Sequence, residues 1–320
     1  MSVPTLAIVV PCYNEEVVID LTIKRLTDIL TELEKDGIVS EKSFLFFVDD
    51  GSSDKTFEII EAAHKDNPKV VKSISFTRNF GNQMALLAGM LELKKFDYDC
   101  CVTIDADLQQ DETKIQEFVQ KYKEGNEIVY GVKSDKNDVS VFKKLTSAGF
   151  YKLMTLLGAK TCPNHSEYRL VSRRVVSILA EYSERNIFLR GVFQQMGEKS
   201  DVVYYDIKKR FAGQSKFSLF DLISLALQGI TSFSIVPLRL VTFCGVFISF
   251  CSFLIGFSAI LEKIFNLSLI MVPGWATIVA TISFIGGIQI LCIGVIGEYL
   301  GQIFMEVKAR PRYIVGKSLD

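Results

Sequence analysis

Cys100-Cys101-Val102-Thr103-Ile104-Asp105-Ala106-Asp107 is an apolar run that ends in two carboxylates one residue apart. The run reads as a buried β-strand, and the acids fall where it opens into a loop. In an open α/β sheet the carboxyl ends of the strands face the ligand crevice. Two hard oxygen ligands at that place suit Mg²⁺ or Mn²⁺ bridging a diphosphate. A lone Asp-x-Asp triplet is common by chance, so its weight comes from its neighbours.

Outward from this run the same grammar repeats. Leu6–Val10, Phe44–Val48, Val70–Ser75 and Ile128–Val132 are further apolar runs that read as strands. Helical patterns lie between them at Glu15–Lys35, Thr56–Asp66, Asn82–Lys95 and Lys114–Lys123. Alternation of this kind predicts a doubly wound, mostly parallel α/β sheet.

The second half has a different character. Leu240 to Leu261 carries no charged residue. At about 1.5 Å per residue it extends about 33 Å, enough to cross a bilayer core. A second uncharged stretch runs from Ile264 to Gly297, and Pro273-Gly274 divides it, leaving a span near Trp275–Ile296. Lys208, Lys209, Arg210, Lys216 and Arg239 precede the first span, and Lys308, Arg310, Arg312 and Lys317 follow the second. The connecting loop carries only Lys263. By the positive-inside rule both termini and the α/β half are expected to be cytoplasmic. The expected divisions are a catalytic domain over 1–216, an interfacial amphipathic helix over 217–234, two transmembrane helices over 235–297 and a cytoplasmic tail over 298–320.

Bulk properties exclude several classes. A net charge of -1 over 320 residues argues against a broad nucleic-acid surface. The seven cysteines form no C-x-x-C pair and sit mainly in apolar runs, as reduced thiols do. With two histidines, a zinc site has little to draw on. Neither G-x-G-x-x-G nor a P-loop is present, which removes the main support for nicotinamide or ATP-hydrolysing chemistry.

Two other strand ends carry chemistry. Val9-Val10-Pro11-Cys12-Tyr13-Asn14-Glu15-Glu16 closes the first strand, with Asn14 a candidate N-cap for the helix that follows and Pro11, Tyr13 and Glu15 at the ligand edge. Phe47-Val48-Asp49-Asp50-Gly51-Ser52-Ser53-Asp54 closes the second. An acid there accepts from a ribose hydroxyl or a base N–H. Asp54 has a simpler role available, capping the next helix.

These segments, in this order, together with Arg78-Asn79-Phe80-Gly81-Asn82-Gln83-Met84-Ala85-Leu86-Leu87-Ala88-Gly89 and Asp105-Ala106-Asp107-Leu108-Gln109, resemble an inverting family 2 glycosyltransferase of GT-A fold. Glu167-Tyr168-Arg169-Leu170 resembles a D-F-R-L motif, and Arg210-Phe211-Ala212-Gly213-Gln214-Ser215-Lys216-Phe217 an R-x-x-G-x-S-K-Y/F motif. With the paired apolar stretches and the tail Gly297-Glu298-Tyr299-Leu300-Gly301 to Arg310-Pro311-Arg312-Tyr313, the chain is similar over nearly its whole length to polyprenyl-phosphate glycosyltransferases. These include bactoprenol glucosyltransferases and dolichol-phosphate mannose synthases.

The resemblance implies roles. Pro11, Tyr13, Glu15, Asp49 and Asp50 would bind the nucleotide. Asp105, Asp107 and Gln109 would hold Mg²⁺ or Mn²⁺ and the donor diphosphate. Arg169, Arg210 and Lys216 would grip phosphates, with Lys133 where relatives often carry Arg. Glu167 stands at the family's Asp position and would orient Arg169 or the acceptor phosphate. The implied partners are a nucleotide diphosphate sugar, UDP-glucose or UDP-N-acetylglucosamine by the bacterial likeness, polyprenyl phosphate and the membrane; thin spans also leave room for a homo-oligomer. Two other readings stay open: a processive polysaccharide synthase, whose Q-x-x-R-W motif the single tryptophan, Trp275, does not supply, and an inactive scaffold or flippase subunit.

Overall fold

The computed structural model describes residues 3–134, 165–185, 187–208 and 274–320, with scattered helical positions between 238 and 254. An eight-stranded sheet has the order β7-β5-β6-β4-β1-β2-β3-β8. Its centre is built from β1 (Leu6–Cys12), β2 (Phe44–Asp49), β3 (Val71–Phe76) and β4 (Cys100–Thr103), all parallel. β1, β2 and β4 are buried along their whole length. Strands covered on both faces carry continuous apolar runs, which is why the sequence announces them so clearly.

Helices α1 (Ile19–Lys35), α2 (Thr56–Asp66), α3 (Asn82–Glu92) and α4 (Ile115–Lys123) connect these strands and the next. The chain passes from β1 to β2 to β3 on one side and returns to place β4 on the other side of β1. That reversal puts the crevice between the ends of β1 and β4. β5 (Ile128–Lys133) then pairs with β6 (His165–Ser172), which lies antiparallel to both β4 and β5. Two short helices, α5 (Arg173–Leu179) and α6 (Leu189–Gln195), lead to β7 (Ser200–Tyr205), parallel to β5.

The first helix begins later than its pattern suggests. Asn14 does not cap it: the residue ahead of α1 is Val18. Asn14 takes φ 55° and accepts through Oδ1 from the Ser53 N–H at 2.9 Å, while its own N–H donates to Ser52 Oγ at 2.9 Å. It joins the ends of β1 and β2 instead. Asp54 also serves this junction, accepting the Thr56 N–H at 3.0 Å and the Glu16 N–H at 3.1 Å. Gly51 completes it with φ 68° and a backbone so close to Arg78 that an added Cβ would lie 2.4 Å from the Arg78 carbonyl carbon. Gly51→Ala is therefore expected to cost about 2–3 kcal/mol, a strained φ plus a backbone displacement. A urea midpoint unchanged in that variant would contradict the close approach.

The tail joins the sheet. β8 (Val315–Leu319) pairs antiparallel with β3, covering that edge. Tyr313 stacks on Phe76 at 5.3 Å and donates to Glu92 Oε1 at 3.3 Å. Arg310–Asp320 thus belongs to the same compact unit as the sheet. A second unit contains α7 (Gly274–Val307), 34 residues long. Its segment Phe284–Val307 has mean hydropathy 1.6 and none of it is buried. This helix continues past Gly297, through the residues expected to begin the tail. Among the described residues it is the one helix long and apolar enough to cross a membrane. Half of the first expected span and all of the expected interfacial helix lie outside the described residues; within the span 241–248 are helical.

Candidate active site

Three parallel strand ends and one antiparallel strand converge on the crevice. Pro11 and Cys12 end β1, Asp49 ends β2, and Asp105 to Gln109 follow β4. β6 runs alongside β4, with Arg169 opposite Thr103. Side chains two apart on a strand share a face, so Glu167 and Arg169 project together.

The Asp105–Gln110 loop is self-braced. Gln110 is buried, donates through Nε2 to Asp105 Oδ2 at 2.6 Å and accepts the Asp105 N–H at 3.0 Å. Leu108 takes φ 56°, which turns the chain so that the Gln109 N–H reaches Asp107 Oδ1 at 3.1 Å. Thr22 of α1 donates to the Ala106 carbonyl at 2.7 Å. Burial, followed by the nearby charges of Asp107 and Glu167, pushes the Asp105 pKa up to about 7; Lys133 and Arg190 work in the opposite direction. A carboxylate held in such surroundings is one that a cation would stabilise. Among the described residues no three or more His, Cys, Asp or Glu side chains gather where they could hold a metal ion by themselves. Two carboxylates fit an ion that completes its octahedron with water and substrate phosphates, the habit of Mg²⁺.

The two acids after β2 have separate duties. Asp49 is buried, accepting from Ser75 Oγ at 2.6 Å and from the Ser52 N–H at 3.1 Å. Asp50, also buried, clamps the loop before α3: its oxygens accept the Phe80 N–H at 2.6 Å and the Gly81 N–H at 2.9 Å. Burial raises the Asp50 pKa against the pull of those two N–H groups. Tyr13 is partly exposed beside them and Pro11 is buried against β2, in register with Val48.

Across the crevice lies an ionic knot. Glu167 Oε1 accepts from Arg190 Nε at 2.6 Å and from Gln83 Nε2 at 2.9 Å, and Oε2 pairs with Arg169. Burial works to raise the Glu167 pKa, but the Arg169 and Arg190 guanidiniums outweigh it and hold it at about 2. Arg169 is almost wholly enclosed, with its guanidinium 4.9 Å from the Phe193 ring centroid. Lys133 ends β5 with its side chain exposed. Arg210 and Lys216 lie outside the described residues.

Neither Gln83 nor Arg190 is given a role by the sequence alone. Each is far along the chain from Glu167, by 84 and 23 residues, and neither stands in a strand-end motif. Gln83 lies in the first turn of α3, inside the Arg78–Gly89 segment, and that position is the one signal pointing to it.

Comparison with known proteins settles the family. The model for Glycosyl transferase family 2 matches residues 7–179, from β1 through α5. The chain belongs to glycosyl transferase family 2. The match takes in every strand end described above, the Asp105–Gln109 loop, Lys133 and the Glu167–Arg169 pair. Relatives extend the likeness to the C-terminal half. A Bacillus subtilis (strain 168) protein named uncharacterized glycosyltransferase YkoT is 44% identical over 318 residues, 99% of this chain and 93% of that one. The SfII prophage-derived bactoprenol glucosyl transferase of Shigella flexneri is 38% identical over 314 residues, 98% of each chain. A prophage bactoprenol glucosyl transferase homolog of Escherichia coli (strain K12) is 38% identical over 311 residues, 97% of this chain and 98% of that one.

Proposed function

We propose that this glycosyltransferase transfers one hexose, with inversion, from a nucleotide diphosphate sugar to polyprenyl phosphate at the cytoplasmic face of the membrane. The observation that carries the reading is the Glu167–Arg169–Arg190 knot set against the Asp105–Asp107 loop, guanidiniums and carboxylates at one strand edge. The names of the Shigella and Escherichia relatives favour a bactoprenol acceptor and a glucosyl donor; the donor proposed is UDP-glucose, with UDP-N-acetylglucosamine the alternative.

The chemistry asks little proton transfer of the protein. A phosphate monoester has a second pKa near about 6 and is already anionic at neutral pH. Its oxygen attacks the anomeric carbon on the face opposite the diphosphate, so one C–O bond forms as the other breaks. A useful general base titrates near the working pH. Glu167, held at about 2, is a poor one and acts instead as a counter-ion that orients the guanidiniums. Asp105 and Asp107, with Gln109 beside them, would hold Mg²⁺ or Mn²⁺, which supplies positive charge to the departing diphosphate. Arg210 and Lys216 are proposed to complete the phosphate cradle, and Tyr13, Glu15 and Asp49 to line the nucleotide side.

Membrane attachment is part of the reading. The exposed apolar helix α7 supports one crossing. Because β8 follows that helix and pairs with β3, tail and sheet lie on one side of the bilayer. That pairing supports an even number of crossings, hence a first span over 240–261, and the basic residues flanking the spans favour a cytoplasmic position for both termini.

The test is acceptor dependence. UDP release from UDP-glucose by the detergent-purified protein should rise at least tenfold over the lipid-free rate with undecaprenyl phosphate. It should not rise with the corresponding alcohol, whose hydroxyl would need a base. Equal stimulation by both lipids would refute the phosphate-acceptor reading.

A further inference from the structure

Glu167 carries one negative charge and touches two guanidiniums. Asp105 is a further carboxylate near both, but among the described residues no hydrogen bond or ion pair joins it to either guanidinium. Arg169 is incompletely paired: it is almost wholly enclosed, and among the described residues its NH1 has no hydrogen-bond partner. A buried guanidinium nitrogen left unpaired is costly unless something else completes it.

The two arginines differ in access. The Arg169 side chain is 2% exposed, whereas that of Arg190 is 39% exposed. Glu167 takes the Arg190 Nε–H at 2.6 Å, and among the described residues neither terminal nitrogen of Arg190 is engaged. Nε is the donor that fixes the plane of the group. With it held, NH1 and NH2 form a preset fork of the kind that matches two oxygens of a phosphate. Gln83 strengthens the hold from two sides, donating to Glu167 at 2.9 Å and accepting the Leu189 N–H at 3.3 Å, one residue before Arg190.

We propose that Arg190 is a phosphate-binding residue of this enzyme, aimed by Glu167 and Gln83, and that Arg169 is the buried counter-ion that keeps Glu167 in place. This rests on the proposed transfer reaction and deepens it. The phosphate belongs either to the lipid acceptor or to the donor diphosphate; both offer the same oxygens.

The experiment compares full-length wild type with Arg190→Gln, Arg190→Lys and Gln83→Ala. Steady-state kinetics are measured against UDP-glucose and undecaprenyl phosphate in turn, and equilibrium binding against UDP and a short-chain polyprenyl phosphate. Arg190→Gln should lower kcat/KM by about 30- to 100-fold, the worth of a charge-assisted bidentate contact. Arg190→Lys keeps the charge without the fork and should recover part of that loss. Gln83→Ala should raise KM several-fold for whichever substrate Arg190 binds, leaving kcat within about twofold. A KM change confined to the lipid assigns the acceptor phosphate, and one confined to UDP-glucose assigns the diphosphate. Arg190→Gln with wild-type affinity for both phosphates would overturn the assignment. If the wild type transfers no sugar, the transfer reading fails, while the binding measurements still decide whether Arg190 holds a phosphate.

Discussion

Asp107→Ala is expected to lower kcat/KM by on the order of 10³-fold, the scale of losing an ion or donor that stabilises developing charge. The reason lies in what the loop offers. Asp105 Oδ2 is already shared with Gln110, so a cation in this loop depends on Asp107 for its second carboxylate. Removing Asp107 would leave the proposed ion one carboxylate in place of two. Folding should change little, by about 1 kcal/mol, because Asp107 braces its own loop by accepting the Gln109 N–H at 3.1 Å. Asp107→Asn separates the two effects: it keeps an oxygen for that N–H and gives up the charge. It should be nearly as inactive as the alanine variant with a wild-type thermal midpoint. An asparagine variant of full activity would remove the cation from the account.

Glu167→Ala is expected to be the most destabilising single change in the site, by about 3–5 kcal/mol, the usual result of removing one partner from a buried ion pair. Arg169 would keep its burial and lose its counter-ion, while facing Arg190. Glu167→Gln should retain the Gln83 contact and much of the packing, yet weaken the orientation of both guanidiniums. Its activity should fall further than its stability.

The pH dependence follows from the same pair. The Glu167 carboxyl is held at about 2 in the fold, below its unfolded value near 4.5. A depressed pKa gives stability that is fully present above the unfolded value and is lost as pH falls from there through the folded value. Urea unfolding followed from pH 6 down to pH 2 should show wild type losing stability along this window. Glu167→Gln should show a shallower slope. Parallel slopes would mean that the carboxylate is not the charged partner of the two guanidiniums.

The sequence displayed the central sheet because its strands are enclosed on both faces and therefore read as unbroken apolar runs. Thr56–Asp66 was legible to the residue, and β1 to β5 nearly so. The later strands were hidden for a physical reason. β6 carries His165, Glu167 and Arg169 inside an interior strand, a composition that reads as loop until the two charges are seen to neutralise each other. β8 is a five-residue edge strand whose partner is more than 230 positions earlier in the chain, so no local pattern marks it.

The same distinction applies to the site. Strand-end acids announce themselves through motifs. Asn14 shows the limit of such reasoning, since a good N-cap residue was spent on bridging β1 to β2 instead. Arg190 and Gln83 matter only because folding brings them to Glu167, and single-chain spacing holds no trace of that meeting. Arg169 was legible as a residue but not as a buried one, and its burial is the ground for proposing Arg190 as the phosphate contact.

The measurement closest to the central claim is the mass of the lipid product. Purified protein would be incubated with undecaprenyl phosphate, Mg²⁺ or Mn²⁺ and a panel of UDP- and GDP-sugars, and the extracted lipid weighed by mass spectrometry. The account predicts a single lipid species heavier by one hexose or N-acetylhexosamine, formed with one donor of the panel and absent with Asp107→Asn. A ladder of longer glycans would contradict it in favour of a processive synthase, and an unmodified lipid with every donor would contradict it in favour of a scaffold.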